Sequence, residues 1–102
     1  MEESKGIVIY GMGKVGKELL EILESYHINV DSICDYNKAG EDYNGYTILS
    51  PSECVKRYSK SVFIITIQNK VVIAEVIDVL KELGVSSNNM FFYSNSFKKI
   101  LA

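Results

Sequence analysis

The residues best placed to do chemistry in this chain are Gly11-Met12-Gly13-Lys14-Val15-Gly16, a GxGxxG spacing that follows an apolar β-branched run and opens a helical pattern. Glycines at these intervals suit a phosphate-binding turn. The first permits the tight turn, the second lets a pyrophosphate reach the backbone, and the third lets helix and strand pack closely. Free N–H groups and the positive end of the helix dipole then face the phosphates. Asp35 ends a second apolar run nineteen residues beyond Gly16, near the ~20-residue interval at which a carboxylate accepts hydrogen bonds from a ribose diol. Its charge would repel a 2′-phosphate, which favours NAD, while Lys14 and Lys38 are close enough in sequence to admit NADP. A packing alternative stands beside this reading, because any α/β domain needs glycine at its first turn and Asp is common where a strand ends.

Other chemistries find less support. With Lys17 the same stretch fits GxxxxGK, but Glu18 stands where a Walker loop needs Ser or Thr to hold magnesium, so a P-loop NTPase is rejected. Tyr10 and Lys14 form a YxxxK that straddles the glycine turn and cannot share one helix face. His27, the sole histidine, follows the first helix and reads as a helix-end residue. Cys34 and Cys54 have no companion at metal-ligand spacing and no partner base, so they read as reduced thiols and no metal site is expected. Tyr36, Tyr43 and Asn44 fall in the loop beyond the second strand. Thr66, Gln68 and Asn69 fall at the carboxyl end of a later strand, where open α/β sheets bind ligands. Tyr36, Thr66, Gln68 and Asn69 are therefore candidates for ribose or supporting contacts, with a helix cap and a turn as the alternatives. No catalytic set emerges, and any reaction would need another domain.

The elements that must position these residues are set by periodicity. Lys5 to Tyr10 predicts a strand; Lys14 to Tyr26 predicts a helix with Val15, Leu19, Leu20, Ile22 and Leu23 on one side; Asn29 to Asp35 predicts a second strand. That is a βαβ unit with a right-handed crossover. Tyr46 to Leu49 is a short edge segment through which a homodimer is plausible. Ser50 and Pro51 open a short helix to about Tyr58. The unbroken apolar run Ser61 to Ile67 predicts a central strand covered on both faces. Asn69 caps a helix from Lys70 to Leu83 that Gly84 stops, and Met90 to Tyr93 is a last strand; 94–102 is a tail, helical or frayed. The expectation is one α/β domain over 1–102, with a parallel sheet of four to five strands in the half-Rossmann order 3-2-1-4-5 and helices on both faces.

With 102 residues, 47% of them hydrophobic and 24% charged, the chain has room for one core and no second domain. A net charge of −2 gives no basic footprint for nucleic acid. No apolar run approaches a membrane span or a signal-peptide core, so a cytoplasmic protein is expected.

The segments IVIYGMGKVGKELLEIL, CDYN, GYTILSPSE, SVFIITIQN and LKELGV together resemble the Rossmann-like nucleotide-binding modules of bacterial surface-polysaccharide enzymes, across roughly residues 5 to 93. Such modules stand at the front of nucleotide-sugar 4,6-dehydratase and epimerase-type proteins and of sugar acyltransferases. The resemblance implies a dinucleotide or nucleotide-activated sugar, with Gly11, Gly13 and Gly16 at the phosphates and Asp35 at the ribose. Where many of these modules carry two acidic residues, this chain has Asp35 and Tyr36, and it has no counterpart of their catalytic residues. Potassium-channel regulatory domains share the glycine spacing but not the Gly-Asp expected after SVFIITIQN. The favoured expectation is an NAD(P)-binding domain attached to a catalytic domain; the alternatives are a non-catalytic UDP-sugar module and an interaction domain without ligand.

Overall fold

A computed structural model describes residues 6–93; the tail expected over 94–102 lies outside the described residues. Four parallel strands, β1 (Ile7–Tyr10), β2 (Val30–Cys34), β5 (Val62–Ile65) and β6 (Met90–Phe92), form one sheet in the order β2-β1-β5-β6. Helices α1 (Lys14–Ser25), α2 (Pro51–Tyr58) and α3 (Lys70–Glu82) connect them. Alternation of strand and helix produces this class of fold: a parallel strand can only be reached by a crossover, and the crossover helix must bury its apolar stripe on the sheet.

The strand side chains alternate between two cores. Val8, Tyr10, Cys34, Phe63 and Ile65 pack with Cys54 and Val55 of α2 and Val76 and Leu80 of α3. Ile9 and Ile33 point the other way, against Leu19, Leu20 and Leu23 of α1. The expected coverage of the third parallel strand on both faces needs correction: along β5, Phe63 and Ile65 are buried but Val62 and Ile64 only partly so. Among the described residues, helix α1 packs on β1 and β2, with Ile64 and Tyr93 partly buried at the margin of its cluster. The apolar row Ile33, Ile9, Ile64, Phe91 therefore runs from full burial to half exposure.

The edge segment also differs in form. Asn44 and Gly45 both take positive φ, the conformation of a tight type I′ hairpin turn, and fold β4 (Tyr46–Thr47) back onto β3 (Asp42–Tyr43). Leu49 then makes the backbone bridge to β2, donating to Ile33 O at 2.9 Å and accepting from Asp35 N at 3.1 Å, while the Tyr46 hydroxyl donates to Val30 O at 3.2 Å. The third member of the 3-2-1-4-5 order is thus a single parallel bridge beside a hairpin.

Helix ends obey local chemistry. Ser50 accepts from Glu53 N with Pro51 in the first turn of α2, and Asn69 accepts from the Val71 and Val72 amides to cap α3. His27 (φ 58) closes α1 and Gly84 (φ 103) closes α3 in the same way: the next residue's amide, Ile28 or Val85, reaches back to Leu23 O or Leu80 O at 2.9 Å.

The unequal faces have a measurable consequence. Phe63→Ala should destabilise the domain by about 3–5 kcal/mol, as for a fully buried aromatic, and Ile64→Ala by clearly less. Urea unfolding that ranked the two in the opposite order would contradict this assignment of faces.

Candidate functional site

The end of β1 and the start of α1 are joined by the glycine turn, and nearly every polar group of its first two residues is bonded to the fold. Gly11 N donates to Cys34 O at 2.8 Å, and Gly11 O accepts from the buried Thr66 hydroxyl at 2.7 Å. Met12 N donates to Asp35 Oδ2 at 2.8 Å, and Met12 O accepts from the Lys38 ammonium at 2.7 Å. The ends of β2 and β5 therefore grip the turn from both sides.

The three glycines have different reasons to be there. Gly11 has φ 112, and a Cβ on it would lie 2.7 Å from the Thr66 hydroxyl. A Cβ on Gly16 would overlap the Gly11 carbonyl oxygen, so strand and helix can meet only with glycine at that position. Gly13 is unlike either. Its φ of −87° and ψ of −159° suit any residue, and a Cβ there would meet nothing within 4 Å. Gly13 also occupies the N-cap position of α1, yet no side chain caps that helix and no acidic residue stands in its first turn. The amides of the first turn, with Lys14 and Val15, thus open beside an unobstructed Gly13 with no acidic residue in the turn, an arrangement that suits an anion.

Asp35 sits where the sequence placed it, at the carboxyl end of β2, and it is part of the turn as well as a candidate ligand contact. Its Oδ1 accepts from Asn37 N at 2.9 Å and Lys38 N at 3.1 Å, in addition to the Met12 contact on Oδ2. A carboxylate offers about four acceptor sites, so three backbone donors leave room for about one hydroxyl. The other expected residues separate. Thr66 is buried and spent on the Gly11 and Tyr10 carbonyls. Gln68 ties Thr66 O to Tyr93 O at the end of the sheet, and the Asn69 carboxamide oxygen is committed to capping α3. Tyr36 comes directly after Asp35 and is 78% exposed.

Beside Tyr36 lies a groove of about 780 Å³ between the start of α2 and the length of α3, which the sequence did not reveal. Its floor includes Tyr10, and its α3 wall carries Val72, Val76 and Val79. The apolar spacing of α3 reads as core, but Val72, Val79 and Leu83 are each more than a third exposed. Burial, with lesser repulsion from Cys34 and Asp35, pushes the Tyr10 phenol well above its ordinary value, so it stays protonated. Cys34 and Cys54 lie buried together behind it. The hydrogen bond between them and burial push the Cys34 thiol up, while the same bond lowers Cys54; both are fully buried, which fits packing thiols rather than nucleophiles. Lys14 is exposed on α1 and Tyr10 is buried on the opposite face, so the YxxxK residues do not meet.

Among the described residues, no three His, Cys, Asp or Glu side chains gather as metal ligands. No described helix is long and apolar enough to cross a membrane.

Comparison with known proteins agrees with this architecture. No curated protein sequence matches the chain. Among solved structures, the chain is similar to RSP, a Rex-family repressor, with a TM-score of 0.68 at 12% identity over 97% of this chain and 58% of that one. The likeness is one of fold, the Rossmann-like parallel sheet, and the chain spans little more than half the repressor's length. A family profile described as C2185-like, N-terminal, matches residues 3–91 and takes in the glycine turn, Asp35 and the whole sheet up to Phe91. The chain belongs to the C2185-like N-terminal family.

Proposed function

We propose that this domain binds a nicotinamide dinucleotide, NAD or NADP, with the pyrophosphate against Gly13 and the first amides of α1. The carrying observation is the contrast among the glycines: the fold itself requires Gly11 and Gly16, whereas nothing in the chain requires glycine at position 13. A side chain at Gly13 would stand where a phosphate must approach the backbone. The uncapped start of α1 supports the same reading, because its unpaired amides gain partners from an anion. Asp35 then takes one ribose hydroxyl through its remaining acceptor site while keeping Met12 in place. Lys38 has two N–H donors beyond its bond to Met12 O, enough to answer a 2′-phosphate, so charge at this end tolerates NADP.

A bound nicotinamide would supply hydride-transfer chemistry, and the chain's own residues hold and orient the dinucleotide. The nucleotide-sugar reading that comes with the polysaccharide-enzyme resemblance would use the same turn. A UDP-sugar differs in its base and in the group attached to its second phosphate, so ligand choice separates the two.

Thermal unfolding with NAD, NADP and UDP-N-acetylglucosamine tests the reading, since a ligand at a hundredfold excess over Kd adds about 2.7 kcal/mol of stability. NAD or NADP should raise the midpoint, and Gly13→Val should abolish the rise without lowering the midpoint of the free protein. Gly16→Ala should instead cost about 1–3 kcal/mol of stability by forcing the turn apart. A stabilising response retained in Gly13→Val, or confined to the UDP-sugar, would contradict the proposal.

Asp35→Ala should both weaken binding and destabilise the free domain by about 1–3 kcal/mol, because the buried Met12 amide loses its acceptor. A role limited to ligand would leave the free protein's midpoint unchanged.

A further inference from the structure

The parallel sheet has two edges, and the chain finishes them differently. At β2 the edge is occupied, since Leu49 bridges to it and the hairpin stands beside it. Among the described residues nothing pairs with the outer side of β6. Exposed edges are normally guarded by lysine, proline or a bulge, because a free row of N–H and C=O groups templates pairing with another strand. β6 has none of these guards. Its register with β5 is regular, the one proline of the chain is Pro51, and no charged residue occurs from Leu83 to Phe97. Instead the strand carries Phe91 and Phe92, which are 51% and 56% exposed. Phe91 lies beside Ile64 on the α1 face, and Phe92 lies beside Ile65 on the α3 face.

One bond sets the direction of the free groups. Tyr93 N donates to Ile65 O at 3.1 Å, so this amide points into the sheet. Strand alternation then turns the N–H and C=O of Phe92 outward. We propose that β6 pairs antiparallel with the β6 of a second copy of this chain, about a two-fold axis at Phe92, so that two four-stranded sheets become one. In this register the two Phe92 residues exchange their N–H···O=C bonds and lay their rings side by side on one face. On the other face Phe91 meets the second copy's Tyr93. A second copy suits this edge because a two-fold sets the strand against itself, so that any charge would face its own like, and none is there. About half of the ~150–250 Å² that a phenylalanine can bury is still open on each ring, so four rings contribute roughly 300–500 Å². A single short strand places the contact below the ~1,200 Å² of standard interfaces, and the dimer is a reversible, concentration-dependent one.

Sedimentation equilibrium between about 1 µM and about 1 mM should show the mass rising from 11.5 kDa toward twice that value. Phe92→Lys, which sets two ammonium groups opposite each other, should weaken association by about tenfold or more. The melting midpoint of the dilute monomer should not change, since the ring is more exposed than buried. Cross-linking tests the register. A directly opposed, hydrogen-bonded pair has Cα atoms about 5.5 Å apart, inside the range of about 4.4–6.8 Å that a disulfide spans. With oxidised glutathione as oxidant, Phe92→Cys should therefore yield a covalent dimer, while the buried Cys34 and Cys54 stay out of reach. Phe91→Cys should not, because two residues each offset by one from the axis lie more than about 7 Å apart. A chain that stays monomeric up to about 1 mM, a dimer left intact by Phe92→Lys, or cross-linking as ready through Phe91→Cys as through Phe92→Cys would overturn the proposal.

Discussion

The bond from the Met12 amide to the Asp35 carboxylate is the contact on which the site depends. It spans twenty-three residues and joins the turn after β1 to the end of β2 at 2.8 Å. A hydrogen bond to a charged acceptor is among the stronger ones a domain can make, about 1.5–3 kcal/mol net. With the Thr66 hydroxyl on Gly11 O and the Lys38 ammonium on Met12 O, it fixes both residues that precede Gly13. The backbone is therefore already held where an anion would meet it. Preorganisation of this kind lowers the conformational entropy lost on binding.

The same clamp changes how Asp35 itself is understood. A carboxylate at the end of the second strand suggests a partner for both ribose hydroxyls, yet most of its acceptor capacity is spent on backbone amides. Its negative charge is also surrounded by donors and lies three residues from Lys38. Discrimination between NAD and NADP therefore cannot rest on Asp35 alone. The sheet matters to this arrangement because β2, β1 and β5 end side by side, bringing Asp35, Gly11 and Thr66 together from three distant parts of the chain.

Much of this architecture was legible in the sequence because it is written in local signals. Periodicity located α1 and α3 to within a residue or so, Ser50-Pro51 and Asn69 marked two helix starts, and Gly84 marked an end. The glycine spacing located the turn. The features that stayed hidden depend on contacts between distant residues. The run Ser61 to Ile67 looks uniformly apolar, but its coverage is set by how far α1 reaches across the sheet. Asn44-Gly45 encodes a hairpin in which Tyr46 and Thr47 pair with Tyr43 and Asp42 in place of β2, a signal present in the residues themselves. The groove lined by Tyr10 and Glu75 had no local mark, since an apolar stripe on α3 looks the same whether a neighbouring helix fills it or leaves it open.

The most direct test of the central claim tracks the backbone amides by NMR as NAD is added. Binding at the preformed turn should move the amide signals of Gly13, Lys14, Val15 and Gly16 most, with Met12 and residues 35–37 next, and leave the pattern of the remaining sheet unchanged. Shifts absent from the turn, or concentrated on another surface, would contradict it.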